Sequence, residues 1–193
     1  MSKPKSALIL CDYQVAMGPM LGPTFDTVLD RASVALEAAR ARGDILIVHV
    51  GVRFRPGHPE ISTDPHKAAN FRHVKEKNMV VEGSPEAAHH PKVSPKAGEV
   101  EVTKRRVGAF STTDLDLILR GNNVSRIILA GISTSGVILT TVREAADKDY
   151  LITVLRDTVA DKDEEMHRVL LDKVFPKQAT VITVDEFVAS LDS

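Results

Sequence analysis

The run Arg126-Ile127-Ile128-Leu129-Ala130-Gly131-Ile132-Ser133-Thr134-Ser135-Gly136-Val137-Ile138-Leu139-Thr140-Thr141 decides the fold. Its first half is apolar almost without interruption, which marks a strand covered on both faces, as in a parallel sheet. Gly131 and the small hydroxyl residues after it then break the strand, and the apolar spacing from Val137 onward is that of a helix. The run is therefore a strand-to-helix junction with the shape of a catalytic elbow. Four further runs read as buried strands: Ala7-Leu8-Ile9-Leu10-Cys11, Ile45-Leu46-Ile47-Val48-His49-Val50, Leu151-Ile152-Thr153-Val154-Leu155 and Thr180-Val181-Ile182.

Between these strands the period changes to helical. Phe25, Val28, Leu29, Ala32, Leu36 and Ala39 recur on one face, and Gly43 follows as a C-terminal stop. A second helix is expected from Thr113, carrying Leu115, Ile118 and Leu119 and stopping at Gly121. A third begins at Asp161, a capping residue with Glu164 three positions on, and presents Met166, Val169, Leu170 and Val174 as a stripe. Thr183 and Glu186 repeat the capping-box spacing for a short final helix. Alternating buried strands and amphipathic helices predict an α/β fold, a three-layer α/β/α sandwich around a mostly parallel, Rossmann-like sheet.

The 193 residues, 43% of them hydrophobic, suffice for one substantial core, so a single domain over residues 1–193 is expected. With 25 basic and 26 acidic residues there is no charge footprint for nucleic acid or an anionic membrane, and a small-molecule or protein partner is expected. The one cysteine, Cys11, excludes an internal disulfide, and no apolar run approaches the roughly 20 residues of a membrane span. The first apolar run is too short and ends too acidically, at Asp12, for a signal peptide, so a cytoplasmic location is expected.

Residues 53–98 fit this alternation least well. They hold six prolines and five of the seven histidines with little periodicity, and read as a long functional excursion over the sheet edge. In an open parallel sheet the ligand lies beyond the carboxyl ends of the strands, where Asp12, Arg53 and the Gly131 turn fall. Asp12 ends an apolar strand, and an ionised carboxylate there needs a partner. Lys104, after the short apolar strand around Val102, is the natural candidate, as a structural ion pair or as part of a site.

Three motifs resemble those of the isochorismatase-like hydrolases, the superfamily of nicotinamidases and cysteine-dependent amidohydrolases. The elbow pattern, roughly G-[VI]-x-T-x-x-C-[VI]-x-x-T-x-x-[DE]-A, is met by Gly131, Ile132, Thr134, Ile138, Thr141, Glu144 and Ala145, but its cysteine position is Val137. D-x-Q is met by Asp12 and Gln14, and K-x-x-x-[SG]-A-F by Lys104, Gly108, Ala109 and Phe110. With Asp157 the resemblance covers most of the chain. It implies Asp12 and Lys104 as catalytic residues, and Gln14, Phe110, Ser133, Thr134 and Val137 around a substrate; Arg53 joins them on its own reading, because it leaves the end of a strand. It also implies a cis peptide at Ile132-Ser133 and a homodimer or homotetramer. The D-x-H-x-x-H metal pattern of nicotinamidases is absent after the second strand, so neither metal nor cofactor is expected.

In the cysteine hydrolases a thiolate attacks an amide or nitrile; valine cannot. Cys11 points to the face opposite Asp12 by strand alternation, and Ser133 or Ser135 has no histidine placed by sequence to activate it. The isochorismatases, which this chain resembles in keeping aspartate and lysine without cysteine, need only an acid to protonate a vinyl ether. The expected function is thus hydrolysis of isochorismate or a related carboxylated enol ether by Asp12 acid/base chemistry, with Arg53, Arg105 or Lys104 holding substrate carboxylates. The alternative is an inactive relative that binds or scaffolds a small molecule.

Overall fold

The computed structural model describes residues 5–67 and 70–191. Six strands form one sheet: β1 Lys5–Cys11, β2 Leu46–Val52, β3 Val100–Lys104, β4 Val124–Ile132, β5 Leu151–Ala160 and β6 Thr180–Ile182. Their order is β3-β2-β1-β4-β5-β6, and every pairing is parallel. The direction of progression reverses between β1 and β4, which opens a crevice beyond their carboxyl ends. The longer helices are α1 Pro23–Arg42, α2 Leu115–Gly121, α3 Leu139–Asp147, α4 Glu164–Val169 and α5 Val184–Leu191.

The period of two in β1 divides the core. Ala7, Ile9 and Cys11 join Val48, Val50, Leu115, Leu119, Ile138, Val142 and Phe175 on one face. Leu8 and Leu10 join Leu29, Ala32, Leu36 and Phe187, from α1 and α5, on the other. The strands are unbroken apolar runs because both faces are covered. In α1 the face read from the sequence is buried throughout, and Gly43 ends the helix at φ 71, its N–H donating to Ala39 O. Each fully buried leucine there contributes about 1.5–3 kcal/mol. Arg31 ties α1 to Asp157 at 2.7 Å, and Asp157 also accepts from Val184 N at 2.9 Å. Asp157 thus lies within β5 and holds α1 and α5 onto it.

Two readings are corrected. Asp161 does not cap α4; Asp163 does, accepting from Met166 N at 2.9 Å. The buried stripe there is Leu170, Leu171 and Phe175, with Met166 exposed, because the helix widens into a π-helical turn over Leu170–Val174. The excursion after β2 is also more than an edge covering. Val52, Phe54, Ile61, Val74, Val80 and Ala87 form a small core of their own, and His90 N donates to Tyr13 O at 2.8 Å, fastening the segment to the end of β1. The final capping box is as expected: Glu186 accepts from Thr183 N at 2.7 Å and Glu186 N donates to Thr183 Oγ1 at 3.2 Å. No helix among the described residues is long and apolar enough to cross a membrane.

Candidate active site

At the end of β1 the backbone of Asp12 turns into the left-handed region, φ 56, and its N–H donates to Val50 O. Its carboxylate meets Lys104 Nζ at 2.9 Å and accepts from Val52 N at 3.1 Å. Lys104, the last residue of β3, also donates to Arg106 O at 3.1 Å. Asp12 is 5% exposed and Lys104 2%. Burial pushes the Asp12 carboxyl above its ordinary value, against the pull of the Lys104 ammonium and the Val52 N–H.

The elbow reaches this pair through sheet register and through the loop after Lys104. Cys11 pairs with Gly131, so Asp12 leaves β1 beside the last residue of β4, Ile132. A Cβ on Gly131 would lie 2.4 Å from Cys11 O, an approach open only to glycine. The Ile132-Ser133 peptide is cis, as the resemblance implied. The loop from Lys104 packs back on the elbow helix: Ala109 N donates to Thr141 Oγ1 at 3.1 Å, and Gly108 lies so close to Thr140 that a Cβ there would meet Cγ2 at 2.7 Å. Val137 is buried in the same apolar cluster as Cys11. Cys11 itself is fully buried, and burial, with Asp12 beside it, pushes its thiol far up.

The other expected site residues make contacts of their own, and Gln14 shares the Val52 N–H with Asp12. Gln14 is fully buried and acts as a clamp, donating through Nε2 to Val52 O and Ala87 O while Oε1 accepts from Val52 N. Arg53 lies on the α1 face of β2, where its guanidinium donates to Ala87 O and Thr103 Oγ1 and stands 3.5 Å from Glu101. Gly51 leaves it room, since a Cβ there would be 3.1 Å from Arg53 Nη1. Phe110 is core: it stacks on Tyr150 at 6.0 Å, with Lys148 Nζ 5.7 Å above its ring. Arg105 pairs with Glu60 and Glu82. Among the expected residues, then, only Lys104 presents a cation to Asp12 at contact distance.

Sequence reading missed two residues that hold the elbow, His167 and Asp161. Thr134, fully buried, has its Oγ1 2.8 Å from His167 Nδ1, and Asp161 accepts from Ser135 N at 2.7 Å. His167 is 33 residues from its partner, and no local spacing announces that pair.

The Isochorismatase domain family matches residues 6–186. Maleamate amidohydrolase of Pseudomonas putida is 31% identical over 186 residues, spanning 93% of this chain and 83% of that protein. A solved isochorismatase family protein of Burkholderia thailandensis superposes with TM-score 0.82 at 27% identity, covering 99% of this chain and 97% of the other. A cysteine hydrolase of Pseudomonas syringae pv. phaseolicola superposes with TM-score 0.87 at 21% identity, covering 100% and 99%, which is a likeness of fold.

Proposed function

Since the chain belongs to the isochorismatase family, we propose that it hydrolyses a small carboxylated enol ether, such as isochorismate, with Asp12 as acid and base and without a covalent intermediate. The observation that carries this reading is the buried Asp12–Lys104 pair, and it is supported by Val137 standing where the motif resemblance would put a cysteine. The chain's one thiol, on Cys11, is sealed in the core with its ionisation suppressed, which disfavours thiolate attack.

Enol ether hydrolysis asks only for proton transfer. Asp12 as a carboxylic acid protonates the terminal enol carbon, and the resulting oxocarbenium ion captures water. The water's surplus proton returns to the Asp12 carboxylate, and the hemiketal collapses to an alcohol and pyruvate. An ordinary aspartic acid, with pKa about 3.9, would be protonated about once in a thousand at pH 7, a cost of about 4 kcal/mol. Burial of Asp12 acts in the direction that lowers this cost, and a substrate carboxylate nearby adds to it. Lys104 would hold such a carboxylate and stabilise the returned charge.

One observation favours a second reading, a small-molecule binding protein without turnover. Asp12 and Lys104 are nearly sealed, so a substrate must displace part of their cover. Pyruvate release from isochorismate and ammonium release from maleamate, each with wild type and Asp12→Asn, separate the cases. Pyruvate release is expected from wild type and a fall of at least about 100-fold in Asp12→Asn. Ammonium release would replace the enol ether with an amide substrate. Binding of either compound with no product would support the second reading.

A further inference from the structure

The segment after β5 makes two contacts with consecutive residues of the elbow, and neither serves the segment's own helix. Helix α4 is capped by Asp163, which leaves the Asp161 carboxylate for Ser135 N at 2.7 Å and Asp163 N at 3.3 Å. Six residues after Asp161, within α4, His167 places Nδ1 2.8 Å from Thr134 Oγ1. Thr134 has no exposed surface, so its hydroxyl cannot turn to water and depends on this partner. Among the described residues the turn's other backbone hydrogen bonds are internal, Gly136 N and Ile138 N both donating to Ser133 O at 3.2 Å, while Val137 anchors its far end in the apolar core. The brace from residues 161–167 is therefore what ties Thr134 and Ser135 to the body of the protein, on the β5 side of the elbow.

We propose that His167 is a positioning residue which, through Thr134 Oγ1 and alongside Asp161 on Ser135 N, sets where the Ser133–Val137 turn stands relative to the Asp12–Lys104 pair. The sheet supports this geometry, since β4 lies between β1 and β5 and Ile132 pairs with Ala160, the residue before Asp161. Asp12 thus ends the strand on one side of β4, and the brace follows the strand on the other. Burial lowers the His167 pKa and so favours the neutral ring, which keeps one nitrogen as acceptor and one as donor. A hydroxyl satisfies either nitrogen, which lets the contact persist whichever tautomer is present.

The consequence for turnover rests on the proposed Asp12 reaction; the consequence for the turn does not. His167→Ala, His167→Asn, Thr134→Val and Thr134→Ser are compared by thermal midpoint, by the backbone amide signals of residues 133–137 in two-dimensional NMR, and by kcat and KM for pyruvate release. Asparagine carries a polar atom near the Nδ1 position, and serine keeps the hydroxyl. His167→Ala and Thr134→Val are expected to shift the amides of Thr134–Val137 more than those of β1, and to lower kcat at least tenfold with KM within twofold of wild type. His167→Asn and Thr134→Ser should restore most of both. Unmoved elbow amides overturn the proposal, and so does an asparagine variant no better than alanine at equal thermal midpoint. Should wild type release no pyruvate, the enol-ether reading fails and the amide signals alone decide the brace.

Discussion

Lys104→Met will destabilise the protein by about 3–5 kcal/mol at pH 7, the usual cost of leaving one member of a buried ion pair without the other. The side chain is 2% exposed, and without its ammonium Asp12 keeps the Val52 N–H and the more distant charge of Arg53. Methionine fills similar volume, which confines the effect to the charge. The loss has a characteristic pH dependence. Without lysine, the Asp12 carboxyl, already raised by burial, rises further above its unfolded value of about 3.9. A group raised in the folded state binds more protons there, so the variant regains stability as pH falls and loses it as pH rises through the folded value. Urea midpoints measured at pH 7 and pH 5 should therefore show a smaller gap from wild type at pH 5. Adding Asp12→Asn to Lys104→Met should recover part of the loss, because no uncompensated charge remains. A gap that stays constant with pH would mean the pair is not electrostatically coupled.

Gly131→Ala will cost at least about 3 kcal/mol, combining backbone strain with an overlap that the neighbouring strand cannot relieve. The added Cβ would stand 2.4 Å from Cys11 O and 2.6 Å from Cys11 Cβ, and φ at Gly131 is 153. The obstructing atoms belong to the last residue of β1, so yielding would move Asp12, the next residue. Gly57 provides the contrast: its φ is 78, but a Cβ there meets nothing within 4 Å. Gly57→Ala carries strain alone, about 1 kcal/mol or somewhat more. Equal losses in the two variants, read from chemical denaturation, would show that close approach to Cys11 is not what requires glycine at 131.

The layer order was legible because both signals it needs are local. Unbroken apolar runs and helical stripes depend on neighbours in sequence, and β1, β2, β4, β5, β6 and α1 all follow them. The Asp12–Lys104 contact was legible for a different reason: a carboxylate ending an apolar strand must be paired, and few cations end a strand in this chain. Arg53 and Phe110 show contacts that such reasoning does not reach. Arg53 leaves the end of β2 as expected, but the alternation of the strand sends its side chain to the α1 face, where Thr103, Ala87 and Glu101 take it up. Phe110 matches a motif, yet its ring is drawn into the core against Tyr150. Asp161 has the spacing of a cap, but the elbow's Ser135 N–H lies within its reach and Asp163 is equally able to cap. In each case a contact distant in sequence outweighed a local preference. His167 and Thr134 are the extreme instance, since nothing near either residue in sequence predicts the other.

Whether Asp12 can act as an acid turns on burial outweighing the lysine beside it, and a titration of that carboxyl measures the balance directly. In protein labelled with 13C at aspartate, the Asp12 signal is identified by its loss in Asp12→Asn and followed by NMR from about pH 3 to pH 8. A midpoint clearly above the ordinary value of about 3.9 is predicted, because burial is the dominant influence on this carboxyl. A midpoint at or below that value would show that Lys104 holds Asp12 as a carboxylate, leaving it unable to protonate an enol ether and contradicting the proposed reaction.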